Sequence, residues 1–310
     1  MKEIRNIAII GGGLMGCGIA QTFAGCDKLE VRIFDQYITG EKVRSRIKSN
    51  IDLLLSKGVF TLAEADALLG RIATFDNMAD AVKDAEFIVE CIPENMTKKQ
   101  GLFAELEPLC SPTTIFATNT SVMSITEISG KAANKARIVG THFWNPPYLI
   151  PLVEIVKSDY TSDEVMDATM NLLKLAGKHP IRVKKDVPGF VANRLQHALW
   201  REAISIVEKG IADAATVDEA VKMSFGLRLP VLAPLENADL VGTDLTLSIH
   251  SYLLKHLENS TEPSPLLKEK VQSGDLGFKT GKGFQEWSPD QIETSSKNLT
   301  EYLVKAIYGK

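Results

Sequence analysis

The sequence has little of what secreted, membrane-spanning or nucleic-acid-binding proteins need. Its 310 residues include four cysteines and no CxxC pair, so we expect no disulfide framework, no metal site and a reducing, cytoplasmic compartment. The uncharged run at residues 138–153 is interrupted by His142 and three prolines, and it is too short to span a bilayer. Lys and Arg number 35 against 39 Asp and Glu, which argues against nucleic acid or an anionic membrane surface as a partner.

The composition that is present is that of a globular protein. Hydrophobic residues make up 45% of the chain and charged residues 24%. A chain of this length commonly forms about two domains.

The order of secondary-structure signals changes along the chain. Short apolar runs at residues 4–10, 29–34, 87–91, 115–117, 138–142 and 152–156 predict strands that alternate with helical patterns, such as the capping box Thr61 with Glu64. Alternation of this kind indicates an α/β domain with a mostly parallel sheet. After the Asp186-Val187-Pro188-Gly189 segment only helical periodicity remains, with Thr216 and Glu219 predicted to open one of the helices. We therefore predict a Rossmann-type domain at residues 1–187 and an all-α domain at residues 188–310.

A glycine-rich segment follows the first predicted strand and opens a helix. It has the G-x-G-x-x-G pattern, in which glycines allow a tight turn, close approach of a pyrophosphate and close packing of the helix on the strand. The free N–H groups at the start of the helix favour phosphate. The residues expected to bind the cofactor here are Gly11, Gly13, Leu14, Met15 and Gly16.

An acidic residue, Asp35, ends the second predicted strand, 19 residues after Gly16. A carboxylate at this position typically binds the 2′-hydroxyl of the adenosine ribose. Because Gln36 and Tyr37 follow it and no arginine adjoins it, we expect NAD rather than NADP.

A second set of polar residues is predicted near the ends of the later strands. A strand, a proline-rich turn and a returning strand would bring Glu154 back to His142. A histidine oriented by a carboxylate suits the oxidation of an alcohol, because the imidazole takes the hydroxyl proton while hydride leaves the same carbon. Taken singly, His142 is more readily interpreted as a buried structural histidine than as a catalytic base.

In these motifs the chain resembles the L-3-hydroxyacyl-CoA dehydrogenase family over nearly all of its 310 residues. The matching segments include residues 11–16, 93–95, 119–121, 142–146, 152–154, 188–194 and 279–284. The resemblance implies an N-terminal Rossmann-type domain, a helical C-terminal domain that makes a homodimer, and a role in fatty acid metabolism.

The resemblance also implies roles for individual residues. His142 and Glu154 would form the catalytic pair, and Ser121 and Asn193 would contact the substrate oxygens. The positions that would line the NAD site are Asp35, Glu94, Lys99, Ser121, Asn145 and Lys279.

The sequence departs from the family where the substrate would bind. Family members offer a Ser and a Lys to the CoA moiety, and the matching positions here are Ile51 and Gly58, with Lys57 adjacent. Arg228 lies in a stretch that replaces a family motif, and its guanidinium is suited to hold a substrate carboxylate.

Three hypotheses follow for the function. The leading one is an NAD-dependent 3-hydroxyacyl-CoA dehydrogenase. The second keeps the chemistry and replaces the substrate by a small hydroxy acid or polar alcohol without CoA. The third is a non-catalytic NAD-binding scaffold, which would need neither His142 nor Glu154.

Overall fold

The structure is a computed structural model that describes residues 4–309. The chain divides into two compact units. The first consists of residues Met1–Arg194 together with Leu299–Lys310, and the second is Leu195–Asn298. The domain boundary that we predict between residues 187 and 188 remains a prediction.

The first unit contains an eight-stranded sheet in the order β3-β2-β1-β4-β5-β6-β7-β8. All neighbouring strands are parallel except β6 and β7, which pair antiparallel. The strands are β1 Asn6–Ile10, β2 Glu30–Phe34, β3 Ile72–Phe75, β4 Phe87–Glu90, β5 Ile115–Thr118, β6 Ile138–Phe143, β7 Leu152–Val156 and β8 His179–Val183. This topology confirms the predicted fold class. In sheets with this strand order, dinucleotides bind at the carboxyl ends of the strands, where the order reverses between β1 and β4.

The sequence patterns did not predict the two outermost strands, β3 and β8. β3 has only four residues, and β8 contains Pro180 and two basic side chains, those of His179 and Arg182. Edge strands tolerate proline and charge because one side of their backbone needs no partner strand.

Helices cover both faces of the sheet. Ile7 and Ile9 of β1 pack into one buried cluster, whereas Ala8 and Ile10 pack into another. Successive side chains of a strand point to opposite faces, so both faces are buried. The helices with all their residues in the first unit are α1 Leu14–Ala24, α2 Gly40–Ser56, α3 Leu62–Gly70, α4 Met78–Val82, α5 Met96–Leu106, α6 Ile125–Ile128 and α7 Asp163–Leu175.

The second unit is helical, as predicted. Its own helices are α9 Ala214–Lys222, α10 Phe225–Arg228, α11 Pro234–Val241, α12 Thr243–Leu253 and α13 Pro265–Gln272, while α8 Ala192–Glu208 and α14 Pro289–Tyr308 have residues in both units. The capping box of Thr61 and Glu64 is confirmed. The cap predicted at Thr216 is wrong, because Asp213 is the N-cap residue and accepts a hydrogen bond from the Thr216 N–H.

The last residues of the chain return to the first unit. Val304 is 1% exposed and packs with Leu54 and Leu149. The Glu301 carboxylate pairs with the Lys57 ammonium at 2.6 Å. The end of α14 therefore covers one flank of α2.

Within residues 4–309, no helix is long and apolar enough to cross a membrane.

Candidate active site

The glycine-rich turn between β1 and α1 has the geometry of a phosphate cradle. Gly11 has φ +114°, and a Cβ on Gly16 would lie 1.7 Å from the Gly11 carbonyl oxygen. Neither position therefore accepts a side chain. A Cβ on Gly13 would meet nothing within 4 Å, and no side chain caps the first turn of α1. Open space beside uncapped N–H groups fits the pyrophosphate of a dinucleotide, and Leu14 and Met15 form the start of this helix.

Asp35 stands directly after β2 with both carboxylate oxygens held by the backbone. Its Oδ2 accepts from the Gly12 N–H at 2.6 Å. Its Oδ1 accepts from the N–H groups of Tyr37 and Ile38 at 2.7 and 2.8 Å. The carboxylate is thereby fixed beside the glycine turn, where a ribose hydroxyl would be recognised.

Arg46 of α2 also belongs to this region, and the sequence reasoning missed it. Its guanidinium donates to the Gly12 carbonyl oxygen at 2.9 Å. The only local signal was a cation on the helix that follows the acidic residue, a common feature of solvated helices.

His142 and Glu154 face each other across the antiparallel pair β6 and β7. They are direct partners in the strand register, and the His142 Nδ1 lies 2.7 Å from the Glu154 Oε2. His142 is 4% exposed and Glu154 is fully buried. The imidazole ring packs between Trp144 and Phe190, with ring centroids 5.3 and 5.6 Å away.

Glu154 is held ionised by its neighbours. Burial by itself would raise the pKa of this carboxyl, but hydrogen bonds from His142 and from the Ala192 and Val191 N–H groups outweigh burial and lower it. The two N–H groups donate to Oε1 at 3.0 and 2.9 Å. An ionised carboxylate can only accept hydrogen bonds, so the Nδ1 of a neutral His142 carries the proton and Nε2 keeps a lone pair.

The turn before α8 positions these two N–H groups. Gly189 has φ +75°, and Phe190 has φ +49°, which is unusual for an aromatic residue. Phe190 is only 2% exposed, and its packing against the His142 ring holds this conformation in place. The turn aims the Val191 and Ala192 N–H groups at Glu154.

Ser121, Glu94 and Asn193 are joined by direct hydrogen bonds. The Asn193 Nδ2 donates to the Ser121 carbonyl oxygen at 3.1 Å, and the Ser121 N–H donates to the Glu94 Oε1 at 2.7 Å. The Thr120 hydroxyl donates to the same carboxylate at 2.9 Å. The structure thus brings three predicted site residues together at the carboxyl end of β5.

Lys99 is buried behind Glu94. Its side chain is 1% exposed, and its ammonium lies 2.6 Å from the Glu90 Oε1 and 3.5 Å from the Glu94 Oε2. The Thr118 hydroxyl donates to the other Glu90 oxygen at 2.6 Å. In this arrangement Lys99 supports Glu94 from inside the protein.

The sequence reasoning missed Glu90, although an acidic residue at the end of an apolar run is a usable signal. Burial raises the pKa of Glu90, an effect that the Lys99 ammonium and the hydrogen bonds from Thr118 and Ile92 oppose. Asn119 was missed as well. Its Oδ1 accepts from the Phe143 N–H at 2.9 Å and links the end of β5 to the end of β6, next to His142.

The remaining predicted residues are exposed. Asn145 follows β6, and its peptide bond to Pro146 is cis. Arg228 ends α10, and Lys279 lies in a turn of the second unit. The roles that the sequence suggests for these three residues stay predictions. Among residues 4–309, no group of three or more His, Cys, Asp and Glu side chains is placed to hold a metal ion.

The sheet order, the glycine turn and the fixed Asp35 together define an NAD-dependent oxidoreductase of the Rossmann type. Comparison with protein families agrees. Residues 6–187 match the 3-hydroxyacyl-CoA dehydrogenase NAD-binding domain, and residues 189–287 match the 3-hydroxyacyl-CoA dehydrogenase C-terminal domain. The chain belongs to the 3-hydroxyacyl-CoA dehydrogenase family.

Similar proteins within this family are named for different substrates. The 5-formyl-3-hydroxy-2-methylpyridine 4-carboxylate 5-dehydrogenase of Mesorhizobium japonicum is 33% identical over 97% of this chain and 96% of its own length. The probable 3-hydroxybutyryl-CoA dehydrogenase of Bacillus subtilis is 37% identical over 92% of this chain and 98% of its own length.

Two solved structures that this chain resembles are likewise named for a pyridine carboxylate and for a CoA ester. A crystal structure of 5-formyl-3-hydroxy-2-methylpyridine 4-carboxylic acid 5-dehydrogenase, described as an NAD+-dependent dismutase, matches with TM-score 0.90 and 32% identity over 99% of each chain. The (S)-3-hydroxybutyryl-CoA dehydrogenase of Ralstonia eutropha matches with TM-score 0.77 and 32% identity over 92% of this chain and 99% of its own.

Proposed function

We propose that this protein oxidises or reduces a small, polar substrate without CoA, with His142 as the general base. The observation that carries the choice of substrate is the position of the chain's last residues. They cover the flank of α2 that the family resemblance assigns to CoA.

The chemistry rests on the His142–Glu154 pair. The Nε2 lone pair of His142 takes the proton of a substrate hydroxyl, and Glu154 stabilises the imidazolium that forms. NAD, when bound, would supply the acceptor for the hydride of the same carbon. Trp144 and Phe190 flank the ring and limit the access of water.

Ser121 and Asn193 are proposed to position the substrate oxygens. The Ser121 backbone is fixed by Glu94 and Asn193, and its hydroxyl donates no hydrogen bond within residues 4–309. A hydroxyl held by a rigid backbone and left with a free proton is suited to bind a carbonyl or alkoxide oxygen. Glu94, supported by Lys99 and Glu90, is proposed to hold this segment beside the NAD site, which Asn145 and Lys279 would also line.

The α2 flank is poorly suited to CoA. Ile51 is 1% exposed and belongs to the buried core, so it offers nothing to a ligand. Lys57 is paired with Glu301, and Val304 covers Leu54. A CoA phosphate would have to displace a carboxylate from Lys57 and compete with the end of α14.

The Mesorhizobium relative suggests the substrate class. The substrate in its name is a small ring that carries a formyl group and a carboxylate. Its match extends over 97% of this chain, whereas the 3-hydroxybutyryl-CoA dehydrogenases of Bacillus subtilis and Clostridioides difficile match 92% and 91% of it. A carboxylate substrate would also give Arg228 a role in substrate binding.

A substrate panel tests the proposal. NADH formation and consumption would be followed with 5-formyl-3-hydroxy-2-methylpyridine-4-carboxylate, free 3-hydroxybutyrate and 3-hydroxybutyryl-CoA, with His142→Gln as the inactive control. We expect kcat/KM for a free acid to exceed that for the CoA ester by about 100-fold or more, roughly 3 kcal/mol of transition-state binding. A higher kcat/KM for the CoA ester would overturn the choice of substrate and leave the His142 chemistry intact.

The second candidate is the oxidation of 3-hydroxyacyl-CoA, with a role in fatty acid metabolism. It is favoured by the family models and by relatives named 3-hydroxybutyryl-CoA dehydrogenase. Glu301→Gln separates the two candidates further, because it frees the Lys57 ammonium. If CoA esters are substrates, this variant lowers their KM. If they are not, turnover of the CoA ester stays at background.

We also propose that the protein is a homodimer formed through the second unit. No hydrophobic side chain of Leu195–Asn298 is buried, and Val231, Leu235 and Leu247 are 86%, 81% and 68% exposed. Exposed apolar surface on this scale marks a protein interface.

Sedimentation measures the mass of the particle in solution and should give twice the chain mass. Leu235→Asp should shift this mass toward that of the single chain, whereas Tyr37→Asp, at an exposed position of the first unit, should not. A monomer at all concentrations would contradict this. The cytoplasmic location and the absence of nucleic-acid and membrane partners stay predictions.

A further inference from the structure

The first unit contains a cavity that no step of the proposed reaction uses. Its volume is about 280 Å³, and its walls come from α1, α2, α3, the end of α7, the turn between β6 and β7, and the last residues of α14. We call it the Lys178 cavity, after the one charged side chain among its described lining residues.

Lys178 has no acidic partner among the described residues. Its ammonium donates to the carbonyl oxygens of Pro147 and, at 2.9 Å, of Ile150, which leaves the third N–H unused. Burial lowers the pKa of Lys178 to about 8. A cation that is largely withdrawn from water normally has an anion beside it, and the described residues supply none for the partly buried Lys178.

Other polar groups of the cavity wall also lack partners or stay neutral. Gln21 is 2% exposed, yet neither its amide oxygen nor its amide nitrogen has a hydrogen-bond partner within residues 4–309. Burial raises the pKa of Tyr148 and of Tyr308. Both phenols are therefore neutral near pH 7, and neither supplies the negative charge that Lys178 lacks.

The rest of the wall is apolar. Leu54, Phe60, Leu68 and Leu175 line the cavity, and no Asp or Glu is among its described lining residues. One cation, one unpaired amide and an apolar wall complement a ligand with a single negative charge on a hydrophobic body.

We propose that the Lys178 cavity binds a small carboxylate with an apolar body. The carboxylate pairs with the Lys178 ammonium, and the body packs against Leu54, Phe60 and Leu68. A charge-assisted hydrogen bond of this kind is stronger than a neutral one, especially where water is scarce. Inorganic phosphate shares the charge but not the apolar body, and the apolar walls favour the carboxylate.

Isothermal titration calorimetry on the full chain tests the proposal, with benzoate and hexanoate as probes and benzamide and inorganic phosphate as controls. We expect saturable binding of benzoate or hexanoate and binding of benzamide weaker by about tenfold or more. Lys178→Met should weaken carboxylate binding by about tenfold or more, while Lys222→Met, which removes an exposed cation of the second unit, should change it less than about twofold.

Several outcomes overturn the proposal. These are no saturation by either carboxylate up to about 10 mM, benzamide or phosphate binding better than both carboxylates, or carboxylate binding that Lys178→Met leaves unchanged. If Lys178→Met does not fold, as judged by circular dichroism and NAD binding, carboxylate binding is measured in Ala176→Leu instead. It keeps the ammonium and fills part of the cavity, so unchanged carboxylate binding in this variant refutes the site. Neither result depends on which substrate the active site uses.

Discussion

The two units of this chain bury their side chains in very different ways. In the first unit, Phe23, Phe87 and Phe116 are fully buried, and both faces of the sheet are covered. In the second unit, Leu195–Asn298, the small polar residue Ser205 is the only buried one. The first unit can therefore gain its stability from its own apolar core, whereas the second buries no apolar side chain within one chain, which is the basis of the proposed dimer.

The largest expected effect is on the free energy of unfolding. It compares a buried residue of the first unit with an exposed residue of the second. Phe23→Ala should lower the free energy of unfolding by about 3–5 kcal/mol, because it leaves a cavity in a fully packed core. Leu247→Ala, at a position 68% exposed, should cost less than about 1 kcal/mol at a concentration where the chains are separate, and more where they associate. Denaturant unfolding at two protein concentrations measures both. Equal losses that do not depend on concentration would break the comparison.

The next effect concerns catalysis in the first unit. His142→Gln should lower kcat by about 10²–10⁴-fold, because glutamine cannot take the hydroxyl proton. His250→Gln, in the second unit, is the matched control and should change kcat little. Steady-state rates of both variants, with NAD binding by fluorescence, test this. Near-native turnover by His142→Gln with NAD bound would refute the role of the base.

A smaller effect is expected on cofactor affinity. Asp35→Ala should raise the KM for NAD by about 10–100-fold, since a hydrogen bond to a charged group contributes about 1.5–3 kcal/mol. The exposed Asp239 of the second unit provides the control, and Asp239→Ala should leave this KM unchanged. An unchanged KM in Asp35→Ala would place the ribose elsewhere.

The smallest effect is the response to acid. The pKa of Glu154 is lowered on folding from its ordinary 4.5. Its contribution to stability is therefore present at neutral pH and lost as the pH falls through the folded-state pKa. The pKa of the partly exposed Glu258 in the second unit is also lowered, to about 2, by hydrogen bonds from the Ser260 N–H and Lys209.

Salt distinguishes these two carboxylates. Acid unfolding would be followed in Glu154→Gln and Glu258→Gln at about 0.1 and 1 M salt. Screening acts strongly on exposed charges and weakly on buried ones. The difference between wild type and Glu258→Gln should shrink at high salt, while that for Glu154→Gln should persist. A Glu154 effect that salt removes would mean that this carboxylate is solvated.

Much of the sheet could be predicted because six strands carry short runs that are mainly apolar or alternate apolar with polar residues. β3 and β8 could not, because their strand conformation depends on pairing with β2 and β7 rather than on their own composition. The helical character of the second unit was predicted from periodicity. The same periodicity did not reveal that the apolar residues Leu195 and Leu199 of α8 stay 59% and 41% exposed within this chain.

The candidate site divides in the same way. The glycine turn and Asp35 are close in sequence, and their local pattern predicts their arrangement. Arg46 and Asn119 act through partners on other elements, so nothing in their own segments distinguishes them from ordinary polar residues. Glu90 differs, because its position at the end of an apolar run is a local signal.

The sequence alone determined the fold class, the NAD site and the pairing of His142 with Glu154, because each depends on short spacings or on one hairpin-like return of the chain. Only the tertiary structure decided that residues 299–310 cover α2, that Lys99 is buried against Glu90, and that Lys178 lines a cavity without an anion. These features join segments as far as 244 residues apart, as in the pair of Lys57 and Glu301. Contacts at such separations are set by the packing of whole elements, and no local pattern in the chain encodes them.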